Sequence, residues 1–285
     1  MNVSVGIPSF NNCVTIGRVV EAVKAQSHHP LEILVVDDGS CDGTGAEAMA
    51  LGVRVLTHER NLGLAHARNT IMEHAKGDII AFFDSDAVPK PDCLANLVAH
   101  FDDPKVGAVG GRGVEGGLIS DAQRWRARTT PQDHGSKEIE SDWMVMGLCA
   151  AFRTQVLRDV GGFDSTFDRA GEDVDISLRI RDAGHRLVYD PTAVVEHLPG
   201  GGLTDITKQA YKHARFATYA LRKNGKSRLP YVINTYRHLG TTAFDDLRSG
   251  RVNDSVIGVM NLMARSAGFL AGSLPGNGRT QRRIF

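Results

Sequence analysis

Cysteine is sparse in this chain of 285 residues, and the four present, Cys13, Cys41, Cys93 and Cys149, share no C-x-x-C spacing. No zinc site or disulfide framework is legible, which favours a reducing compartment, the cytoplasm. A leader is missing too: MNVSVGIPSF has no basic segment ahead of its apolar residues and is not expected to act as a signal peptide. No clean apolar run approaches the roughly 20 residues that a spanning helix needs. The nearest, 256–274, is interrupted by Asn261, Arg265 and several small residues, so an interfacial or core helix is expected there. The chain has no internal repeat, no low-complexity tract and no recognisable nucleic-acid module, and nucleic acid is not expected as a partner. Net charge is also absent, since 33 Lys+Arg balance 33 Asp+Glu. That balance hides a split: residues 1–202 hold 19 basic against 29 acidic side chains, and residues 203–285 hold 14 against 4. An acidic body with a basic tail suggests two tasks, the second directed at phosphates or an anionic membrane.

What is present is alternation. VSVGI, LEILVV, VRVLT and DIIAFF have the length and β-branched content of strands. Between and after them, 15–25, 43–50, 65–75 and 91–101 space apolar residues as helices do, with Pro91 suited to a first turn. This predicts an α/β fold with a mostly parallel, Rossmann-like sheet flanked by helices, and ligands beyond the carboxyl ends of its strands. After 110 the rhythm changes. VGGRGVEGG predicts a strand end and loop, 117–142 an irregular polar segment, MGLCAAF a strand and TQVLRDVG a short helix. EDVDISLRIRDAG predicts an amphipathic helix closed by Gly184, and RLVYDPTAVVEH a strand pair around Pro191, followed by a flexible glycine run. Beyond 203 the pattern predicts two long helices, 207–223 and 255–270, with a polar connector.

Polar clusters fall where the strands end. IIAFFDSD runs from apolar residues into Asp84 and Asp86, which share one side if the chain stays extended. Two carboxylates at a sheet edge make an incomplete oxygen cage, suited to Mg²⁺ or Mn²⁺ carrying a diphosphate. ILVVDDGSCDGT ends in Asp37 and Asp38, with Asp42 placed to cap the next helix, and IPSFNN ends in Pro8, Ser9 and Asn11. NLGLAHARN places Arg68 near the same edge, where it would offset diphosphate charge. Glu172 and Asp173 open an amphipathic helix, a position that acids also favour for dipole reasons. His197 follows an apolar strand and is a candidate third metal ligand.

In this order, PSFNN, VVDDGSCDGT, NLGLAHARN, GDIIAFFDSDAVP, GLCAAFRTQVLRDVGGFD and GEDVDISLRIRDAGHRLVYDPTAVVEH resemble the inverting, nucleotide-sugar-dependent glycosyltransferases of family 2, with the GT-A fold. The resemblance covers roughly residues 1–200. It implies a catalytic domain at 1–202, with a nucleotide-sugar half to about 110 and an acceptor half beyond, and a basic helical extension at 203–285. It implies that Pro8, Ser9 and Asn11 line the nucleoside pocket and that Asp37 and Asp38 accept hydrogen bonds from base or ribose. Asp84 would lie against the ribose or in the metal's shell, Asp86 would bind the metal, and His197 would approach the metal or diphosphate. Asp173 would be the general base, supported by Glu172. Phe10, Asn12 and His185 depart from the commonest residues at their positions, and the last bears on acceptor choice.

The implied reaction moves a sugar from a nucleotide-diphosphate donor to a hydroxyl of a glycan, glycolipid or polyprenyl-linked saccharide, assisted by Mn²⁺ or Mg²⁺. In the tail, KQAYKHARFATYALRKNGKSR interleaves basic and apolar residues at helical spacing, and is expected either to pack internally or to rest on anionic lipid, reinforced there by the apolar helix at 256–274. The second outcome would place the protein peripherally on the inner face of the cell membrane. Two rivals differ in class. A haloacid-dehalogenase-type phosphohydrolase also carries D-x-D after an apolar strand, but on its first strand rather than behind three others. A sugar-nucleotide-binding or membrane-adaptor protein without catalysis would retain the same motifs.

Overall fold

The alternation of the first 84 residues builds the parallel part of a sheet. In the computed structural model, which describes residues 1–117, 120–132, 134–140, 144–167, 170–198 and 201–274, β1 (Val3–Ser9), β2 (Glu32–Asp37), β3 (Arg54–Thr57) and β4 (Ile79–Phe83) lie in the order β3-β2-β1-β4 with parallel pairing. Helices α1 (Cys13–Lys24), α2 (Thr44–Ala50) and α3 (Leu64–His74) connect them. Strand residues divide by parity between two apolar layers. Val5, Ile7, Val35, Ile79, Ala81 and Phe83 pack with α1, while Leu34, Val36, Ile80 and Phe82 pack with α3. Every residue of β4 is buried because each face of the sheet is covered.

The alternation stops after β4, and so does the parallel pairing. The remaining strands are β5 (Ala87–Pro89), β6 (Val106–Glu115), β7 (Ile139–Glu140), β8 (Cys149–Arg153) and β9 (Arg186–His197). They extend the sheet as β4-β8-β6-β9-β5, with β7 also on β9, and the β4·β8, β8·β6, β9·β5 and β9·β7 pairs are antiparallel. Helices α4 (Cys93–Ala99), α6 (Thr154–Asp159) and α7 (Glu172–Asp182) belong to this half, while α5 (Asp121–Thr129) belongs elsewhere.

Several expectations need correction. RLVYDPTAVVEH is one strand of 12 residues, not a pair. Pro191 falls between the residues paired with β7 and those paired with β5, so neither ladder needs its missing N–H. The glycine-rich segment supplies residues 109–115 of the ten-residue β6, and Gly116 and Gly117 lie beyond the strand, as expected. Its glycines answer to space: a methyl on Gly111 would collide with Ala193 O and Cys149 Sγ, and one on Gly113 would approach Leu148 Cδ1 to 2.7 Å. Pro91 precedes α4 instead of opening it. Residues 121–129, expected to be irregular, form α5, started by a capping box of Ser120 and Gln123. Residues 118, 119, 133, 141 and 142 of that segment, and Pro199 and Gly200 of the glycine run, lie outside the described residues.

The chain divides into two compact units. One comprises residues 1–114, 132–168 and 172–198, and the other 115–131, 169–171 and 199–285. The boundary expected at 202 therefore misses α5, which joins the tail. The second unit holds three long helices, not two: α8 (Leu203–Lys223), α9 (Leu229–Arg248) and α10 (Val252–Ser273). The expected connector is α9, opened by Pro230 in its first turn and anchored by buried Leu239 and Ala243. Trp125 is enclosed with Ala122, Ile206, Leu239 and Ile257. Gly268 and Gly272 of α10 lie so close to the Tyr211 and Arg215 carbonyls of α8 that any Cβ would overlap them.

Candidate active site

Strand β1 stays paired with β2 through Ser9 and Asp37, but with β4 only through Gly6 and Phe82. The β1·β4 ladder thus stops near the end of β4 while β1 runs on beside β2, at the point where strand order reverses and folds of this kind have their ligand crevice. Pro8 sits beyond that ladder, where a missing N–H costs no bond to β4. Around this crevice lie most of the residues singled out in the sequence.

On the β1–β2 side, Ser9 is buried and its Oγ has no hydrogen-bond partner among the described residues. Asn11 has φ 52°, the one left-handed non-glycine residue among those described. Its N–H donates to Ser40 Oγ (2.9 Å) and its Oδ1 accepts from Cys41 N (3.0 Å), which ties the β1 and β2 exits together. Asp37 accepts from Ser40 N at 3.0 Å, and Gly45 packs so closely on its other oxygen that no side chain fits there. Asp42 accepts from the N–H of Thr44 and from that of Cys13, serving the first turns of α2 and α1 together. Asp38 has a different employment from the one expected. Its carboxylate takes His58 Nδ1 (2.6 Å), Leu62 N (2.9 Å) and Gly63 N (2.8 Å), and so holds the entry of α3. With those acceptors filled, Asp38 is a structural residue, and Asp37 alone of the pair borders the crevice.

The D-S-D segment is not extended. Ala87 N donates to Asp84 O at 2.9 Å, closing a turn between β4 and β5, so the extended conformation does not persist through Asp86. Asn12, singled out only as a departure from a pattern, donates through Nδ2 to Ser85 Oγ and fixes this turn to the end of β1. Asp84 turns to Arg68, whose Nη2 donates to it at 3.0 Å. The same guanidinium reaches Glu172 Oε1 through Nη1 at 2.6 Å and Gly147 O at 2.9 Å. It lies 5.9 Å from the Phe82 ring centre and 5.5 Å from that of Phe163. Arg68 is 1% exposed, its Nη1 and Nη2 serve Glu172, Asp84 and the Gly147 carbonyl, and its Nε is buried without a partner among the described residues. The expected contact with diphosphate is therefore corrected. Arg68 joins the turn after β4 to the start of α7. A Cβ at position 147 would lie 2.7 Å from Arg68 Nη1 and would displace the guanidinium from its partners.

Three acids surround this single cation. Burial pushes Glu172 up to about 7, with the Asp173 charge adding to the rise and Arg68 opposing it. Burial likewise raises Asp173 and Asp84, with Arg68 opposing in each case. Asp173 accepts from Val174 N at 2.8 Å and more loosely from Gly147 N at 3.4 Å, so its carboxylate is aimed by backbone. Glu172 Oε2 is buried without a partner among the described residues. Raised acidic pKa values have a definite consequence. Between about 4.5 and about 7 the folded state keeps a proton on Glu172 that the unfolded chain has lost. This contribution to stability is thus fullest below 4.5, falls as pH rises to 7, and is constant above. Glu172→Gln should remove that slope. Relative to wild type, the variant should gain roughly 3 kcal/mol between pH 4.5 and pH 8 in denaturant titrations. An unchanged difference across that range would show that Glu172 titrates normally.

Asp86 and His197 form the remaining pair. Strands β5 and β9 place Ala87 opposite His197, Leu198 N donates to Asp86 O at 2.8 Å, and His197 Nε2 lies 3.7 Å from Asp86 Oδ2. Among the described residues no three acid, histidine or cysteine side chains are gathered into a ready metal cage. A carboxylate and an imidazole nonetheless fit a divalent cation that takes its other ligands from substrate phosphates and water. Asp84 has given one oxygen to Arg68, yet remains near enough to sense the charges of Asp86 and His197.

A profile of glycosyl transferase family 2 matches residues 4–161. The chain belongs to this family. It is 35% identical over 248 residues to the pre-mycofactocin glycosyltransferase of Mycobacterium tuberculosis, an alignment covering 82% of this chain and 50% of that protein. The chain thus spans about half the length of that relative. It is also 28% identical to the O-antigen chain rhamnosyltransferase RfbN of Salmonella typhimurium, over 69% of this chain and 66% of the relative. Among solved structures, the mannosyltransferase PcManGT of Pyrobaculum calidifontis, in complex with GDP-Man and Mn²⁺, superposes with a TM-score of 0.68 at 23% identity. That match covers 96% of this chain and 88% of the other, and it shows a shared GT-A fold.

Proposed function

We propose that this chain transfers a sugar, with inversion, from a nucleoside-diphosphate donor to an acceptor hydroxyl. Cell-surface polysaccharide or glycoconjugate synthesis is the setting, with a glycan or a lipid-linked saccharide as acceptor and peripheral contact with the inner face of an anionic membrane. The observation that carries the reading is the Arg68 bridge. It ties the D-S-D turn, beside the Asp86–His197 pair, to the Glu172–Asp173 helix start in one crevice. The relatives and structural neighbours include proteins named for glycosyl transfer and for complexes with sugar nucleotides and Mn²⁺, which supports the same reading.

The residues divide the work. Ser9, Asn11 and Asp37 border the half of the crevice suited to the nucleoside, offering a buried hydroxyl and a carboxylate as hydrogen-bond partners. Asp86 and His197 would hold Mn²⁺ or Mg²⁺, which supplies Lewis-acid neutralisation of the charge released on the diphosphate. Asp173 takes the proton of the acceptor hydroxyl as its oxygen attacks the anomeric carbon. A new C–O bond forms on one face while the bond to the donor phosphate breaks on the other, so no covalent intermediate with the protein arises. Glu172, held by Arg68, sets the field around that base.

Product formed from a labelled donor tests the function, and transfer by a panel of UDP-, GDP- and dTDP-sugars identifies the donor. Asp86→Ala should abolish the Mn²⁺-dependent part of nucleotide binding in calorimetry. Equal affinity with and without Mn²⁺ in both proteins would remove Asp86 from this role.

A further inference from the structure

The helical unit has a surface that its own core does not use. In α9 the exposed residues Leu229, Ile233, Phe244 and Leu247 recur three, four or eleven positions apart, which places them in one narrow stripe. In α10, Val256, Val259, Met263 and Leu270 do the same, with Met263 68% and Leu270 72% exposed. The opposite side of α10, Ile257, Asn261, Gly268 and Phe269, is buried. The helix is therefore apolar on its outward side as well as its inward one. Among the described residues it alone has the length and composition of a membrane-crossing helix, with mean hydropathy 1.2 over its best stretch. Its glycine contacts with α8 hold it in the helical unit.

The two stripes meet at a groove of about 700 Å³, where Leu229 and Tyr236 of α9 face Phe269 and Leu270 of α10. Arg222, Lys226 and Arg228 form its rim. Between Asp205 and Asp245 the chain contains eight Lys/Arg and no acid. Exposed apolar stripes bordered by a rim of three cationic side chains match an anionic bilayer surface, and that charge argues against a second copy of the same basic unit.

We propose that the outward faces of α9 and α10 dock on a bilayer containing anionic phospholipid, with lipid phosphates meeting the Arg222–Lys226–Arg228 rim. This deepens the peripheral-membrane part of the function proposed above, and it relocates the contact. The sequence pattern pointed to 208–228 with support from the helix at 256–274; of these, α8 buries Ala210, Ala214, Phe216, Ala217 and Leu221 in the unit, and the outward faces left are those of α9 and α10.

Flotation of the full chain with phosphatidylcholine vesicles, with and without phosphatidylglycerol, tests the proposal without sugar nucleotide present. The chain should bind the anionic vesicles at low salt and be released at high salt. Lys226→Glu/Arg228→Glu should weaken binding about tenfold or more and flatten its salt dependence. Met263→Glu/Leu270→Glu, at exposed positions that leave the fold intact by circular dichroism, should abolish it. No binding to anionic vesicles at low salt would overturn the proposal. So would a dimer in sedimentation that Met263→Glu dissolves, since that would assign the face to a second copy. Neither result would touch the transfer reading, which is measured on a soluble acceptor.

Discussion

Asp173→Asn is expected to lower the rate of sugar transfer about 10²–10⁴-fold while leaving affinity for the donor nucleotide unchanged, the range that loss of a positioned general base costs. The amide is close in shape and keeps an acceptor for Val174 N, so the start of α7 should survive. What disappears is the ability to accept a proton. Comparison of turnover with calorimetric donor affinity separates these effects. Wild-type turnover in the Asn variant would assign the base elsewhere, and a matching loss of affinity would show that Asp173 positions the donor instead.

Arg68→Met should produce the largest loss of stability, about 3–5 kcal/mol at neutral pH, because removing one partner of a buried ion pair leaves its mates uncompensated. Here Asp84 and Glu172 both lose their hydrogen-bonded cation, and Asp173 loses a favourable neighbour. At pH 5 the deficit should shrink, because all three acids have raised pKa values and can be neutralised by protons. Arg68→Lys keeps the charge but has one nitrogen for partners now served by Nη1 and Nη2, so an intermediate loss is expected. Urea titrations at the two pH values measure this. A deficit independent of pH would mean that the guanidinium serves packing against Phe82 and Phe163 more than charge.

Much of the crevice was legible because its residues end strands whose period is plain. Asp37, Asp84, Asp86 and Ser9 follow runs that alternate between two covered faces, and a strand end has one location relative to its sheet. What was not legible depends on contacts distant in sequence. Asp37 and Asp38 are adjacent acids of equal promise, and only the fold brings His58, Leu62 and Gly63 to the second. Arg68 looks like a surface arginine on an amphipathic helix until Glu172, 104 residues later, closes on it. The turn that ends the extended run at Asp84 is one that local composition does not announce.

The helical unit was read least well, for a related reason. Helix α9 buries few large side chains, so its period was hidden among polar residues and its outward stripe passed as a connector. Trp125 offered a signal for α5, since a large aromatic side chain in a polar stretch implies a pocket to receive it. Glycines misled in the opposite direction. In β6 and α10 they mark backbone and side chains at close approach, where glycine reflects tight packing instead of a loop.

The central claim is that Asp86 and Asp173 act on one bound sugar nucleotide from two sides of the crevice beyond β1 and β4. A crystal structure of the chain with a nucleoside-diphosphate sugar and Mn²⁺ tests it most directly. The account predicts Mn²⁺ coordinated by the Asp86 carboxylate and the diphosphate, with Asp173 facing the anomeric carbon from the side opposite the leaving oxygen. A nucleotide bound away from the β1–β4 crevice, or a metal held without Asp86, would contradict it.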